Sequence, residues 1–308
     1  MLAIVYALAP LFVILLSGMG LRKTEFVAEG FWRNLEKLTF WALLPALFLK
    51  TMADADFSGM NLFAPVAAAT TLLMLSMVIL VIIRRFTPQI DGPAYSSVIQ
   101  GATRFNNYVG LPVTLSLFGE SGIVVYAIII SALIPLTNIT SVWALSHYAS
   151  HEKLRWAKLA RQILTNPLII STLLGIALSV TGIGLPPIIR EVVVAFANAS
   201  LLMGLLAIGA SIDPSTVKTD GFRVMYSCFL KLVAYPALAI ACGMVFGLDG
   251  LGMSVLILFA ALPTATSSYI LAAQMGGNAK LMANIVATET LLAFLTMPAW
   301  LWVAMRGF

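Results

Sequence analysis

Gly101-Ala-Thr-Arg-Phe-Asn-Asn-Tyr-Val-Gly-Leu-Pro112 and Ala260-Ala-Leu-Pro-Thr-Ala-Thr-Ser-Ser-Tyr269 each interrupt a long apolar run near its middle. Both place proline beside a cluster of small polar residues, and they occupy matching places in the two halves of the chain. Interrupted helices in corresponding repeats are the sequence mark of the binding site of a secondary transporter.

The surrounding chain is that of a membrane protein. Of its 308 residues 60% are apolar and 10% are charged, with a mean hydropathy of +0.98, whereas a soluble domain carries about a quarter charged residues. A transmembrane helix needs about 20 mostly apolar residues. The apolar runs predict ten such helices, over 3–21, 31–53, 61–83, 94–118, 122–146, 163–181, 189–211, 222–246, 252–275 and 281–304. These runs are too long and too uniformly apolar for barrel strands, and a spanning helix satisfies its own backbone in lipid. No room is left for a separate soluble domain.

Lys and Arg fall unevenly on the two sides of these spans. One side receives Arg22, Lys23, Arg33, Lys37, Arg84, Arg85, Lys153, Arg155, Lys158, Arg161, Lys218, Arg223 and Lys280, thirteen of the eighteen, and the other only Lys50, Arg190 and Arg306. Because basic loops stay in the cytoplasm, both termini are expected on the outer, periplasmic side. The positive charge thus reports topology, and nucleic-acid binding is not needed to explain it. Residues 1–150 form a first five-helix repeat, 151–162 a cytoplasmic loop and 163–308 a second five-helix repeat. Five is odd, so the second repeat enters the membrane inverted. Arg22 and Lys23 follow the first apolar run and no basic residue precedes it, the reverse of a cleavable signal, so 3–21 is expected to be retained as a helix.

Proline within a helix removes a backbone bond, at a cost of about 3 kcal/mol or more unless other groups satisfy the freed positions. Unwound chain exposes carbonyls and the N-terminal end of the following half-helix, whose partial positive charge attracts anions. Gly110, Pro112 and Pro263 are expected at the two breaks, the prolines as first residues of half-helices, where no N–H is needed. The alternative is that the prolines only kink their helices; two matched positions with polar neighbours favour the breaks. The candidates for substrate contact are Asn106, Asn107, Thr264, Ser267 and Ser268, with Tyr108, Tyr269 and Gln274 as wall residues.

Ionisable residues deep in a span cost about 2.5–3.5 kcal/mol each, so each calls for a partner or a task. Arg104, Lys231 and Glu289 are the three. Arg104 either balances an anionic substrate or snorkels to the inner surface. Lys231 and Glu289 form either a static ion pair or a coupling pair in which Glu289 is a proton-linked carboxylate. His147 and His151 share a helix face beside basic residues and are read as a solvated turn, with no metal site. Asn138, after Pro135, either faces the crossing point or packs. Cys228 and Cys242 are read as reduced packing residues, since fourteen residues of helix rise about 21 Å. Gly243 and Gly247 have the small-residue spacing of close helix packing.

With Asn106-Asn-Tyr-Val-Gly-Leu-Pro112 and Ala261-Leu-Pro-Thr-Ala265, the chain carries Asn166-Pro-Leu-Ile-Ile170, Gly175, Thr181-Gly-Ile183, Pro186, Lys231-Leu232 and Pro236. On these motifs it resembles the auxin efflux carrier family in its short bacterial form, over nearly its whole length. The resemblance implies an all-α membrane fold of ten helices in two inverted five-helix repeats, related in architecture to bile acid sodium symporters. It implies that broken helices 4 and 9 cross. It also implies an elevator-type movement in which the first, second, sixth and seventh helices form a scaffold and homodimer surface in the cell inner membrane. Family members move small organic anions, auxin in plants and malonate or related carboxylates in bacteria. Plant members have a long hydrophilic loop between helices 5 and 6, which here is only about sixteen residues (147–162), so plant auxin is not the expected substrate. Tyr108 stands where the family often has glycine or another residue, which points to a pocket of different size.

The expectation is therefore a secondary transporter for a small organic anion, with H+ or Na+ as coupling ion left open. The alternative is a sodium-coupled symporter of a bile-acid-like or other organic anion. No glycine-rich phosphate loop with its lysine is present and no cofactor is called for. An intramembrane enzyme would need a nucleophile and base or a His and carboxylate cluster, which the apolar spans lack. A channel would need a continuous wet path, against which the polar cluster at mid-depth argues.

Overall fold

A computed structural model describes residues 2–57, 62–150, 157, 160–161, 164–212 and 221–307. The reading of 151–162 as a cytoplasmic loop, with His151, therefore lies largely outside the described residues, as does Lys218. All regular secondary structure among the described residues is helical, with no strand.

Helix α1 spans Leu2–Lys23. Helix α2 (Glu29–Leu38) runs through a π-helical turn (Thr39–Leu43) into α3 (Leu44–Asp54). Then come α4 (Phe63–Ile83), α5 (Gly92–Thr103) and α6 (Asn107–Leu145). After α7 (Pro167–Val180) and α8 (Pro187–Ser211), α9 (Gly221–Phe229) passes through a second π-helical turn (Leu230–Ala234) into α10 (Tyr235–Val245). The chain closes with α11 (Gly250–Ala261), α12 (Ser267–Gln274) and α13 (Ala279–Gly307). These two π turns lie just before a proline, Pro45 and Pro236, whose missing N–H and bulky ring disturb the turn ahead of it; a third, Ser146–Ser150, ends α6 without one.

Local chemistry sets the helix starts. The Asp91 carboxylate accepts from the Ala94 N–H at 2.9 Å to begin α5. The Asn166 amide oxygen accepts from Leu168 N–H at 3.0 Å to begin α7, with Pro167 next to it. These are N-caps followed by the one position where proline is welcome. Within α6, Gly119 takes φ 62° and ψ −158°, so two helices meet there in a continuous stretch, where the apolar runs end at 118 and resume at 122.

Among the described residues five helical stretches are long and apolar enough to cross a membrane: Phe63–Phe86, Gly92–Ala149, Pro187–Ser211, Gly221–Val245 and Ala279–Gly307. Others fall short individually for visible reasons. Arg33, Glu36 and Lys37 make α2 polar, α7 has 14 residues, and the run of α11 and α12 is cut in two by its break.

The helices pack in two groups. Helices α1, α3, α7 and α8 make their most extensive contacts with one another, while α11 packs on α10, α13 and α6. In the first group α1 and α8 meet backbone to backbone. A Cβ on Gly18 would run into the Leu206 carbonyl, and one on Gly209 into the Leu15 carbonyl, the small-residue contact that lets membrane helices approach closely. Gly243 packs against Met253, but Gly247 is a turn residue at φ 65° with open space around it, so this pair is not one packing face. Cys228 and Cys242 are free and buried.

Candidate functional site

Two breaks in the helices define the site. After α5 the chain leaves the helix at Arg104 (ψ 162°) and re-enters at Asn107 through Asn106 (φ −102°, ψ 102°), whose amide oxygen accepts from the Tyr108 N–H at 3.0 Å. After α11 it extends at Leu262 (ψ 145°) and re-enters at Ser267. Hence Gly110 and Pro112 lie inside α6 and do not form its break, and neither proline is the first residue of a half-helix; Pro263 sits in the second break itself. Asparagine capping begins α6 five residues before its proline, because the cap meets the free N–H that a proline start would merely lack.

The breaks touch. The Thr264 hydroxyl donates to the Gln100 carbonyl at 3.1 Å, and the Phe105 and Phe259 rings meet edge to face at 4.7 Å. Gly110 is required by this crossing, since a Cβ there would meet the Tyr126 hydroxyl and the Leu262 side chain.

Arg104 does not snorkel. Its guanidinium donates to Asn138 Oδ1 at 3.1 Å, Ser141 Oγ at 3.2 Å and Ser267 Oγ at 3.0 Å, while its Nε is buried without a partner. It borders a cavity of about 440 Å³, whose wall also includes Asn106, Asn107, Tyr108 and Asn138, and Thr266 and Ser267 from the second break. Arg33, Glu36 and Lys37 of α2 and Asn166 before α7 also line it, and apolar side chains such as Phe40, Trp41, Phe105 and Ile134 make up much of the rest. Among the described lining residues three cations thus face one carboxylate around a volume suited to a small ligand. The Asn107 amide oxygen accepts from the Tyr126 hydroxyl at 3.1 Å.

Other predicted residues lie elsewhere. Thr264 and Ser268 are fully buried and stand behind the cavity wall, with their hydroxyls 3.4 Å apart. Tyr269 borders a neighbouring cavity of about 750 Å³. Gln274 is exposed at the end of α12 and is no wall residue, since the helix has carried it away from the break. His147 is exposed and stacks on Trp143. Among the described residues no cluster of metal-ligating side chains occurs.

Behind the crossing lies a buried polar layer. Glu289 accepts from the Thr264 N–H at 3.1 Å and the Ser227 hydroxyl at 2.9 Å. Lys231, fully buried, has no hydrogen-bond partner on its Nζ, which stands 4.2 Å from the centre of the Tyr235 ring. The carboxylate of Glu289 is hydrogen-bonded to Ser227 and to the unwound backbone rather than to Lys231, which stays near enough to interact with it electrostatically. The Gln100 side-chain amide is buried here without partners as well.

Sequence reasoning missed Glu36 and Thr266 and counted Arg33 and Lys37 only toward topology. Thr266 lay within the quoted polar cluster, but no pattern in α2 set Glu36 apart from a solvated helix face.

The profile of the family described as membrane transport protein matches residues 3–301. An uncharacterized transporter of Methanothermobacter thermautotrophicus is 23% identical over 94% of both chains. A putative malonate transporter of Rhizobium meliloti is 24% identical over 86% of this chain and 84% of its own. Auxin efflux carrier component 3a of Oryza sativa subsp. japonica is 25% identical over 43% of this chain and 22% of its own.

Proposed function

Since the chain belongs to the membrane transport protein family, that of the auxin efflux carriers, we propose that it is a secondary transporter carrying a small organic anion through the cavity beside Arg104. Integral membrane location and transport, and not enzymatic catalysis, are the properties of this family. The anion follows from one observation: the Arg104 guanidinium, at the first break, is held by Asn138 and Ser141 of the fifth predicted span and by Ser267 of the second break, at the edge of a half-open cavity with polar groups set among apolar ones. Burying that charge is worthwhile only if a counter-charge joins it. A carboxylate is the natural ligand for a planar fork of donors. The malonate named for the Rhizobium meliloti relative makes a short dicarboxylate the first candidate.

The finer architecture belongs to the same proposal. The ten predicted spans, with α5–α6 and α11–α12 as the broken fourth and ninth, form two inverted repeats. The two packing groups support an elevator-type movement of the α4–α6 and α9–α13 assembly against α1–α3, α7 and α8. The exposed apolar faces of α7 and α8, including Leu173, Leu174, Ile188 and Val192, suit lipid or a second copy in a homodimer. Asn106, Asn107, Tyr108 and Ser267 contact the substrate; Thr264 and Ser268 shape the break; Glu289 and Lys231 are the coupling pair. The protein resides in the bacterial inner membrane with both termini periplasmic.

Uptake of radiolabelled mono- and dicarboxylates into proteoliposomes, with sodium, proton and potential gradients imposed separately, tests the reading. Saturable movement of one carboxylate is expected and names the driving ion. Absence of both transport and binding for every carboxylate overturns it.

A further inference from the structure

Glu36 is the carboxylate on the wall of the Arg104 cavity among its described lining residues. It sits on α2, packed with α8, yet it is bonded to the opposite group of helices. The Thr266 hydroxyl donates to its Oε1 at 3.2 Å, and the Tyr108 hydroxyl donates to its backbone carbonyl at 3.4 Å. Thr266 immediately precedes Ser267, the residue that holds the Arg104 guanidinium. A protein carboxylate therefore already occupies a donor of the second break, one residue from the buried cation.

We infer that the Glu36 side chain is a tethered occupant of the anion position, which an entering carboxylate must displace from Thr266. This rests on the anion-carrier reading. One hydroxyl donates one hydrogen bond, and two carboxylates at the same donor repel. Binding thus selects for an anion able to outcompete Glu36, and it breaks a side-chain link between α2 and α12 across the two packing groups. The apparent affinity is lowered by the fraction of protein in which Glu36 holds the site.

Among the described residues the charged and titratable groups around Glu36 are few. Arg33 and Lys37 come from α2 itself, Arg104 and Tyr108 from the first break, and Arg22 and Tyr269 border the adjoining cavity from α1 and α12. The residues that α8 and α13 contribute there are Ala207, Ala210, Ser211, Ala283, Val286 and Ala287, none charged.

The test is binding of malonate to the purified full-length protein by calorimetry, from pH 5 to pH 8, for wild type, Glu36→Gln, Thr266→Val and the double variant. Glu36→Gln keeps the shape and removes the charge. It is expected to bind on the order of tenfold more tightly than wild type at pH 8. That ratio should shrink toward one as the pH falls and Glu36 gains a proton. In the Thr266→Val background the advantage of Glu36→Gln should vanish. Wild-type binding with an unchanged or weaker Glu36→Gln affinity at every pH overturns this inference alone and leaves the anion carrier standing. No binding by any of the four proteins, of malonate or of any other carboxylate in the uptake panel, overturns both. Should Glu36→Gln fail to fold, the wild-type and Thr266→Val titrations decide. Divergence toward high pH supports displacement, and parallel curves overturn it.

Discussion

The guanidinium of Arg104 donates to the hydroxyl of Ser267 at 3.0 Å across 163 positions of sequence. With the Thr264 hydroxyl on the Gln100 carbonyl, this ties the end of α5 to the start of α12, so neither half-helix can shift without the other. Arg104 and Ser267 also line the cavity.

Replacing Arg104 by glutamine should weaken malonate binding by at least about tenfold, roughly 1.4 kcal/mol. Arg104→Lys should recover only part of it, because an ammonium keeps the charge but not the planar fork. Calorimetry on both variants checks this; uptake of Arg104→Gln that equals wild type at all substrate concentrations would remove Arg104 from the site.

Neighbouring serines should behave differently. Ser267→Ala loses a cavity-lining contact to Arg104 and is expected to reduce transport while leaving thermal stability nearly intact. Ser268→Ala removes a buried hydroxyl near Thr264 and should act mainly on stability, by about 1 kcal/mol. Paired measurements of uptake and melting temperature separate the two.

Glu289→Ala leaves the Thr264 N–H and the Ser227 hydroxyl unpaired and the buried Lys231 uncompensated. A loss of about 3–5 kcal/mol is expected, seen as a collapse of monodisperse protein in size-exclusion chromatography. Glu289→Gln combined with Lys231→Met should restore much of the yield, since an isosteric neutral layer carries no stranded charge.

Gly110→Ala should destabilise by about 1–3 kcal/mol through overpacking against Tyr126 and Leu262. Tyr126→Phe in the same chain removes the nearest clashing atom and should recover part of that loss. If melting temperatures show no recovery, the obstruction is the Leu262 side chain instead.

Much of the architecture was legible because lipid leaves a chain few choices. Apolar runs about one membrane long become helices, and the matched polar interruptions at 101–112 and 260–269 do unwind. The exact break was not legible. Proline marks a place where a helix is weak, but Asn106 could cap an earlier start, and local capping outcompeted the proline. Gln274 failed as a wall residue for a related reason: counting along a run cannot tell how far a helix has turned once a break has reset its direction.

By itself, the sequence determined that this protein lives in a bilayer, that it is helical, and which two of its apolar runs are interrupted, because hydrophobic burial and backbone hydrogen bonding act locally and are read from composition and spacing. Only the tertiary structure decided which polar groups meet. Glu36 reaches Thr266 across 230 positions, and Glu289 turns to Thr264 and Ser227 with no hydrogen bond to Lys231. Such choices depend on where packed helices bring side chains of unrelated sequence position within 3 Å or so, a distance that no single stretch of chain contains.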